Sequence, residues 1–188
     1  MKRRYQLKAR ADKQADTRRR IVEAAVGLHT TVGPAATSIS AIAESAGVQR
    51  HTVYAHFPDE AALFGACSAH WVATNPFPDT SVWFAEADPE RRLRAALSSV
   101  YGWYEGVESA LALFARDAHA VPANVREARV AQLGLLADAL TAGWSRRKVV
   151  RAAVGHALAF ETWRSLVRQE GLSRRQAVDA MARFVAEA

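Results

Sequence analysis

The chain has 188 residues, a single cysteine and a net charge of +6, and half of its residues are hydrophobic. That apolar content is enough for one domain or two small ones and excludes a low-complexity or disordered chain. The lone Cys67 excludes an internal disulfide framework and a cysteine-rich zinc site, and no apolar run reaches the length of a membrane span. A basic N-terminus without an apolar stretch behind it is no secretory signal, so a soluble, cytoplasmic protein is expected.

The first twenty residues hold nine Lys and Arg against Asp12 and Asp16, which leaves +7 there and −1 over the rest. A basic front end of this kind is either a solvated terminus or an arm that meets phosphate. Beyond it almost everything reads as helix: Ala is abundant, strand-like alternation is missing, and apolar residues recur at three and four. Ile21, Ala25, Leu28 and Val32 form a first stripe that ends near Gly33-Pro34. Thr37 or Ser38 can cap a short second helix carrying Ile39, Ile42, Ala43 and Ala46. Gly47 stops it, because a sharp helix-to-helix turn needs the left-handed conformation. Val48, Val53 and Phe57 give the inner side of a third short helix, which Pro58 ends.

Asp59 caps a fourth helix with Leu63, Phe64, Cys67 and Trp71, broken at Asn75-Pro76. Asp88-Pro89-Glu90 starts the next, with Leu93, Leu97, Val100, Tyr101 and Tyr104. Leu111, Phe114 and Ala115 read as a separate segment closed by Pro122, followed by Leu133, Leu136, Leu140 and Trp144. One helix apolar on more than one side is expected from Val149 to Val167. Ser173 with Gln176 fits a capping box for a last helix with Val178, Met181 and Val185.

Residues 38–57 have the grammar of a helix-turn-helix. Ile42 and Val53 face a shared core, which leaves Gln49, Arg50, His51, Thr52, Tyr54 and His56 outside. Arg can give two hydrogen bonds to guanine, Gln two to adenine, and Thr can touch the thymine methyl. Tyr and His suit phosphate. A plain helical hairpin with a polar outer face has the same pattern.

Residues 18–63 resemble the DNA-binding domain of the tetracycline-repressor-like (TetR) family. The matching residues are Ile21, Ala24-Ala25, Leu28, Gly33, Thr37-Ser38-Ile39, Ile42-Ala43, Ala46-Gly47-Val48, Thr52-Val53-Tyr54, His56-Phe57 and Ala62-Leu63. The resemblance implies an all-α homodimer with an N-terminal three-helix reading head and a C-terminal helical domain for effector binding and dimerisation. It divides the chain into a basic arm (1–16), the helix-turn-helix domain (17–58) and the C-terminal domain (59–188). It implies a ligand-responsive repressor on a palindromic double-stranded DNA operator, with helix four as the lever between the parts. An activator, or a regulator without an effector, is the alternative. The DNA-binding set is Thr37, Ser38, Gln49, Arg50, His51, Thr52, Tyr54 and His56, with Arg3 and Arg4 from the arm. Two departures stand out: Glu60 occupies a position where many members carry a phosphate-binding Lys, and Arg50-His51 replaces smaller residues.

In the C-terminal part, aromatic and stranded polar residues are pocket candidates: Trp71, Trp103, Tyr104, Phe114, His119, His156, Phe160 and Trp163. The same aromatics can equally fill a core. Val150, Val154, Ala157, Leu158, Met181 and Val185 are candidate dimer contacts. No catalytic pairing, phosphate loop or metal-ligand spacing is present, so no enzyme, metal or cofactor is expected. The arm lacks the interleaved apolar residues of a membrane anchor.

Overall fold

The computed structural model describes the backbone of residues 2–145 and 147–188 and the side chains of residues 8–145 and 148–188. Among the described residues all regular structure is helical: α1 (Lys2–Thr31), α2 (Ile39–Ser45), α3 (Arg50–His56), α4 (Glu60–Thr74), α5 (Ser81–Phe84), α6 (Pro89–Arg116), α7 (Ala123–Leu140), α8 (Arg147–Ala157), α9 (Phe160–Arg164) and α10 (Arg174–Ala186). Short 3-10 turns lie at Pro34–Ala36 and Ala118–Ala120, and a π turn at Ser165–Gln169. The chain divides into two compact units, residues 1–76 with 109–125 and residues 77–108 with 126–188.

The first unit is built on α1. Residues 2–16, expected as an arm, continue this helix without a break. Ile21, Val22 and Ala25 of α1 meet Ile42, Ala43, Val53, Phe57, Leu63 and Cys67 in one buried core. Leu63 and Cys67 belong to α4, so that helix completes the reading head. The first unit therefore runs to residue 76 and not to 58. It also takes the last turns of α6, where Phe114 meets Phe64 edge-on at 6.1 Å and His29 lies 4.8 Å from Phe64. Burial among these rings lowers the His29 pKa to about 4. Burial pushes the Cys67 thiol up to about 12, which leaves it unreactive.

The second unit holds the aromatic body. Leu93, Leu97, Val100, Tyr101 and Tyr104 of α6 are buried at the expected spacing. Asp88 Oδ1 accepts the Arg91 N–H at 2.8 Å and starts that helix. The helix expected over 149–167 is interrupted at Leu158-Ala159, where Ala159 is extended. Two buried tyrosines account for the break. Tyr101 Oη donates to the Ala157 carbonyl at 2.7 Å and Tyr104 Oη to the Leu158 carbonyl at 2.6 Å. Those oxygens would otherwise accept bonds from the next helical turn. Burial raises both phenol pKa values, Tyr104 to about 12, so both stay donors. The segment around Leu111 is no separate helix: α6 runs unbroken through it into the first unit. The short α5, which carries no periodic signal in the sequence, seats Trp83, whose Nε1 donates to Ser99 Oγ at 3.2 Å.

Candidate nucleic-acid interface

The reading head is set by local bonds. Ser38 caps α2 by accepting the Ala41 N–H at 3.1 Å, and Thr37 Oγ1 donates to the Gly33 carbonyl at 2.8 Å. Both hydroxyls therefore shape the entry to α2. Gly47 takes φ 64°, which an L side chain rarely adopts, and Val48 N donates to Ala43 O at 2.9 Å to close the turn. α3 then starts after Gln49, whose side chain makes no capping bond. Val53 and Phe57 are buried, while Gln49, Arg50, His51 and Tyr54 are exposed and Thr52 and His56 half-buried. The six outward residues expected from the sequence thus lie together on one short helix and its lead-in. Arg50 Nη2 donates to Tyr54 Oη at 3.4 Å, and its guanidinium lies 5.8 Å from the Tyr54 ring. This pairing joins two members of the set across one turn.

The basic stretch divides in two. Arg18 stacks on Phe57 at 4.4 Å. Arg19 pairs with Asp16 at 2.6 Å and Glu23 at 2.9 Å. Arg20 donates to the Ala46 carbonyl at 3.0 Å, at the end of α2. These three cations have partners within the protein, Arg18 and Arg20 on other elements of the reading head and Arg19 on α1 itself, which charge counting alone could not reveal. Lys8, Arg10 and Lys13 are exposed along the first turns of α1. The side chains of Arg3 and Arg4 lie outside the described residues. After α3, Asp59 Oδ1 accepts the Ala62 N–H at 2.7 Å, so this acid caps α4, and exposed Glu60 begins that helix.

The pocket candidates are divided between the two units. Trp103, Tyr104, Phe160 and Trp163 form one aromatic cluster in the second unit, with ring centroids 5.3–5.7 Å apart. Trp163 Nε1 is buried without a hydrogen-bond partner. Phe114 and Trp71 lie in the first unit, as does the exposed His119. His156 is exposed and 5.9 Å from Phe184. Of the dimer candidates, Val150, Val154, Ala157, Leu158 and Val185 are at most 3% exposed in the single chain, and Met181 is half-buried. They pack into the chain's own second unit. Val149, Ala152 and Phe184 of the same helices are exposed and line an open depression with His156. The spacing of Val149, Ala152 and His156 marks a helix face, but it is the face opposite the one singled out from the sequence.

Among the described residues no helix is long and apolar enough to cross a membrane, and no cluster of His, Cys, Asp and Glu has the arrangement of a metal site. Residues 21–67 match the family described as bacterial regulatory proteins, tetR family. No curated protein sequence matches the chain. Several solved structures share its fold. A TetR-like transcriptional regulator from Rhodococcus sp. RHA1 is 19% identical with a TM-score of 0.62, covering 91% of this chain and 94% of that one. NalD of Pseudomonas aeruginosa, the secondary repressor of a multidrug efflux pump, is 19% identical with a TM-score of 0.63, covering 94% and 96%. The fatty acid degradation regulator FadR of Bacillus halodurans is 16% identical with a TM-score of 0.55, covering 90% and 94%. Residues 21–67 thus carry the tetR-family helix-turn-helix domain, and the chain as a whole shares the all-helical fold of TetR-like transcriptional regulators.

Proposed function

We propose that the protein is a cytoplasmic, non-enzymatic repressor that binds a palindromic operator as a homodimer and releases it in response to a small molecule. One observation carries the DNA reading: Gln49, Arg50, His51 and Tyr54 stand exposed on a short helix whose inner face is locked into the core of the domain. In this reading α3 enters the major groove, Arg50 reads guanine, and Thr52, Tyr54 and His56 fix the register on phosphate and base edges. Thr37 and Ser38 contribute at the start of α2. The first turns of α1, with Lys8, Arg10 and Lys13 and with Arg3 and Arg4 ahead of them, add phosphate contacts as a helix. Two reading heads on one operator require a second copy, and the exposed apolar side chains of α8 and α10 supply a surface for it. The aromatic cluster around Trp163 is the place in the second unit best suited to an apolar effector. The similar fold of NalD, a repressor, supports repression over activation.

Selection of bound duplexes from a random pool tests this reading. An enriched palindrome supports a dimeric reader, whereas failure to enrich any sequence rejects it. Arg50→Ala is expected to relax preference at one base pair and to weaken binding about tenfold. Removal of residues 1–13 is expected to flatten the salt dependence of binding. Phe184→Glu is expected to give a monomer in light scattering.

A further inference from the structure

The end of α6 carries a buried charge that DNA reading does not use. Asp117 follows α6 directly, and its side chain is 5% exposed. Its Oδ2 accepts the Ala35 N–H at 3.1 Å, in the turn that leads into α2. Arg116 binds the same carboxylate with Nε at 2.7 Å and Nη2 at 2.9 Å. The Arg116 Nη2 also donates to the Val32 carbonyl at 2.8 Å, at the end of α1. The bonds from Arg116 and the Ala35 N–H hold the Asp117 pKa down to about 2, so the carboxylate stays charged at any working pH. Between Val32 and Ala35, Gly33 takes φ 96°. A Cβ at Gly33 would overlap Asp117 Oδ2 and Arg116 Nη2, so the chain approaches this pair closely enough to require glycine.

These bonds clasp the connection between α1 and the helix-turn-helix at both ends. Four residues beyond Gly33, Thr37 bonds back to the Gly33 carbonyl, and Ser38 caps α2. The direction in which α2 leaves α1 is therefore tied to Arg116, the last residue of α6, and to Asp117 directly after it. That helix is continuous with residues of the second unit.

We infer that Asp117 is a positioning residue for DNA recognition: with Arg116 it fixes the α1–α2 connection and hence the setting of the helix-turn-helix. The inference rests on the DNA-binding reading above. Asp117 touches no base or phosphate, and its effect is exerted through the Ala35 amide.

The test uses the full chain and a duplex selected from a random pool by the wild-type protein. Asp117→Ala is expected to weaken binding about tenfold or more, with the salt slope unchanged because no phosphate contact is lost. Asp117→Asn keeps an acceptor for the Ala35 amide and is expected to stay within about threefold of wild type. In the free protein, Asp117→Ala is expected to speed hydrogen exchange over residues 34–48 while α10 keeps its protection. Wild-type affinity and unchanged exchange in Asp117→Ala would overturn the inference. So would tighter binding with a steeper salt slope, which would mean that Asp117 merely masks the charge of Arg116. Should Asp117→Ala not fold, Arg116→Ala removes the bond to Val32 and takes its place: weaker binding with faster exchange over residues 34–48 supports the inference, and wild-type affinity with unchanged exchange overturns it. If the wild-type chain selects no duplex, the DNA reading fails, and the exchange measurement still decides the clasp.

Discussion

The two units of the molecule are made by different kinds of bond. In the reading head the contacts that start and turn its short helices are mostly short in sequence, Ser38 to Ala41, Val48 to Ala43 and Asp59 to Ala62, with the bonds of Arg116 and Asp117 to Val32 and Ala35 as the long exception. In the second unit the decisive contacts are long: Tyr101 to Ala157, Tyr104 to Leu158, Arg94 to Asp179 at 2.5 Å. A module that must present the same helix to DNA in any surrounding is specified by local turn and cap chemistry. The body attached to it depends on which distant side chains meet. The difference predicts that damage to one unit is read first by that unit's own probe. DNA binding reports the first. Tryptophan fluorescence reports mainly the second, because Trp83, Trp103, Trp144 and Trp163 lie there and only Trp71 lies in the first.

The largest effect is expected at Phe57, which is 2% exposed beneath Arg18 and belongs to the core shared by α1 to α4. Phe57→Ala removes a ring from a small core, at a cost of about 3–5 kcal/mol. It should abolish duplex binding and melt the reading head while the tryptophan transition in urea keeps its midpoint. An equal shift of that midpoint would show that the two units unfold as one and would break the comparison.

His29 gives the next effect. It is 7% exposed among Phe64 and Phe114, and burial lowers its pKa to about 4 from the ordinary 6.5 of a free imidazole. A histidine held neutral in the folded state binds fewer protons than the unfolded chain between those two values. Its stabilisation is therefore complete above pH 6.5 and is lost as the pH falls towards 4, by up to about 3 kcal/mol. His29→Phe should remove this part of the acid sensitivity, as measured by urea unfolding at pH 7.5 and 4.5 followed by circular dichroism. An acid limb as steep as wild type's would mean that His29 is not the group responsible.

What the sequence made legible follows the same division. The caps at Ser38, Asp59, Asp88 and Ser173, the Gly47 turn and the inward Val53 and Phe57 are local signals, and each is where the pattern puts it. The break at Leu158-Ala159 is not local, because it depends on two hydroxyls 54 and 56 residues away. α8 is apolar on opposite faces, Val150 with Val154 and Ala157 on one and Val149 with Ala152 on the other. Periodicity finds both faces, but only packing decides that the first is inside. The charge count had the same limit. Nine cations in the first twenty residues pointed to phosphate, yet Arg18, Arg19 and Arg20 bond within the protein. Asp117 gave no signal, because a lone acid after a helix says nothing about an amide 82 residues earlier.

A smaller effect is expected at the helix break. Tyr104→Phe leaves the Leu158 carbonyl buried without its donor, which costs about 1–3 kcal/mol. The tryptophan transition should move to lower urea while affinity for the selected duplex stays the same. A shift of affinity with no shift of that transition would place Tyr104 in the control of DNA binding and not in the packing of its own unit.

The smallest effect gives the sharpest comparison, because the same capping chemistry occurs in both units. Ser173 Oγ accepts the Gln176 N–H at 3.3 Å, and the Gln176 side chain accepts the Ser173 N–H at 2.9 Å, a reciprocal capping box on α10. Asp59 caps α4 with a single bond of 2.7 Å. Each residue replaced by alanine loses about 1 kcal/mol of helix stability. Ser173→Ala should lower the tryptophan transition and leave duplex affinity alone. Asp59→Ala should lower the stability of the reading head, and it also removes a negative charge from the side of α3, so its duplex affinity should rise or hold. If both substitutions move the same transition by the same amount, α6 couples the units so tightly that the local and long-range designs cannot be separated by unfolding. Two distinct transitions, each moved by its own cap, would mean that the reading head is a separate cooperative unit joined to the body through α6.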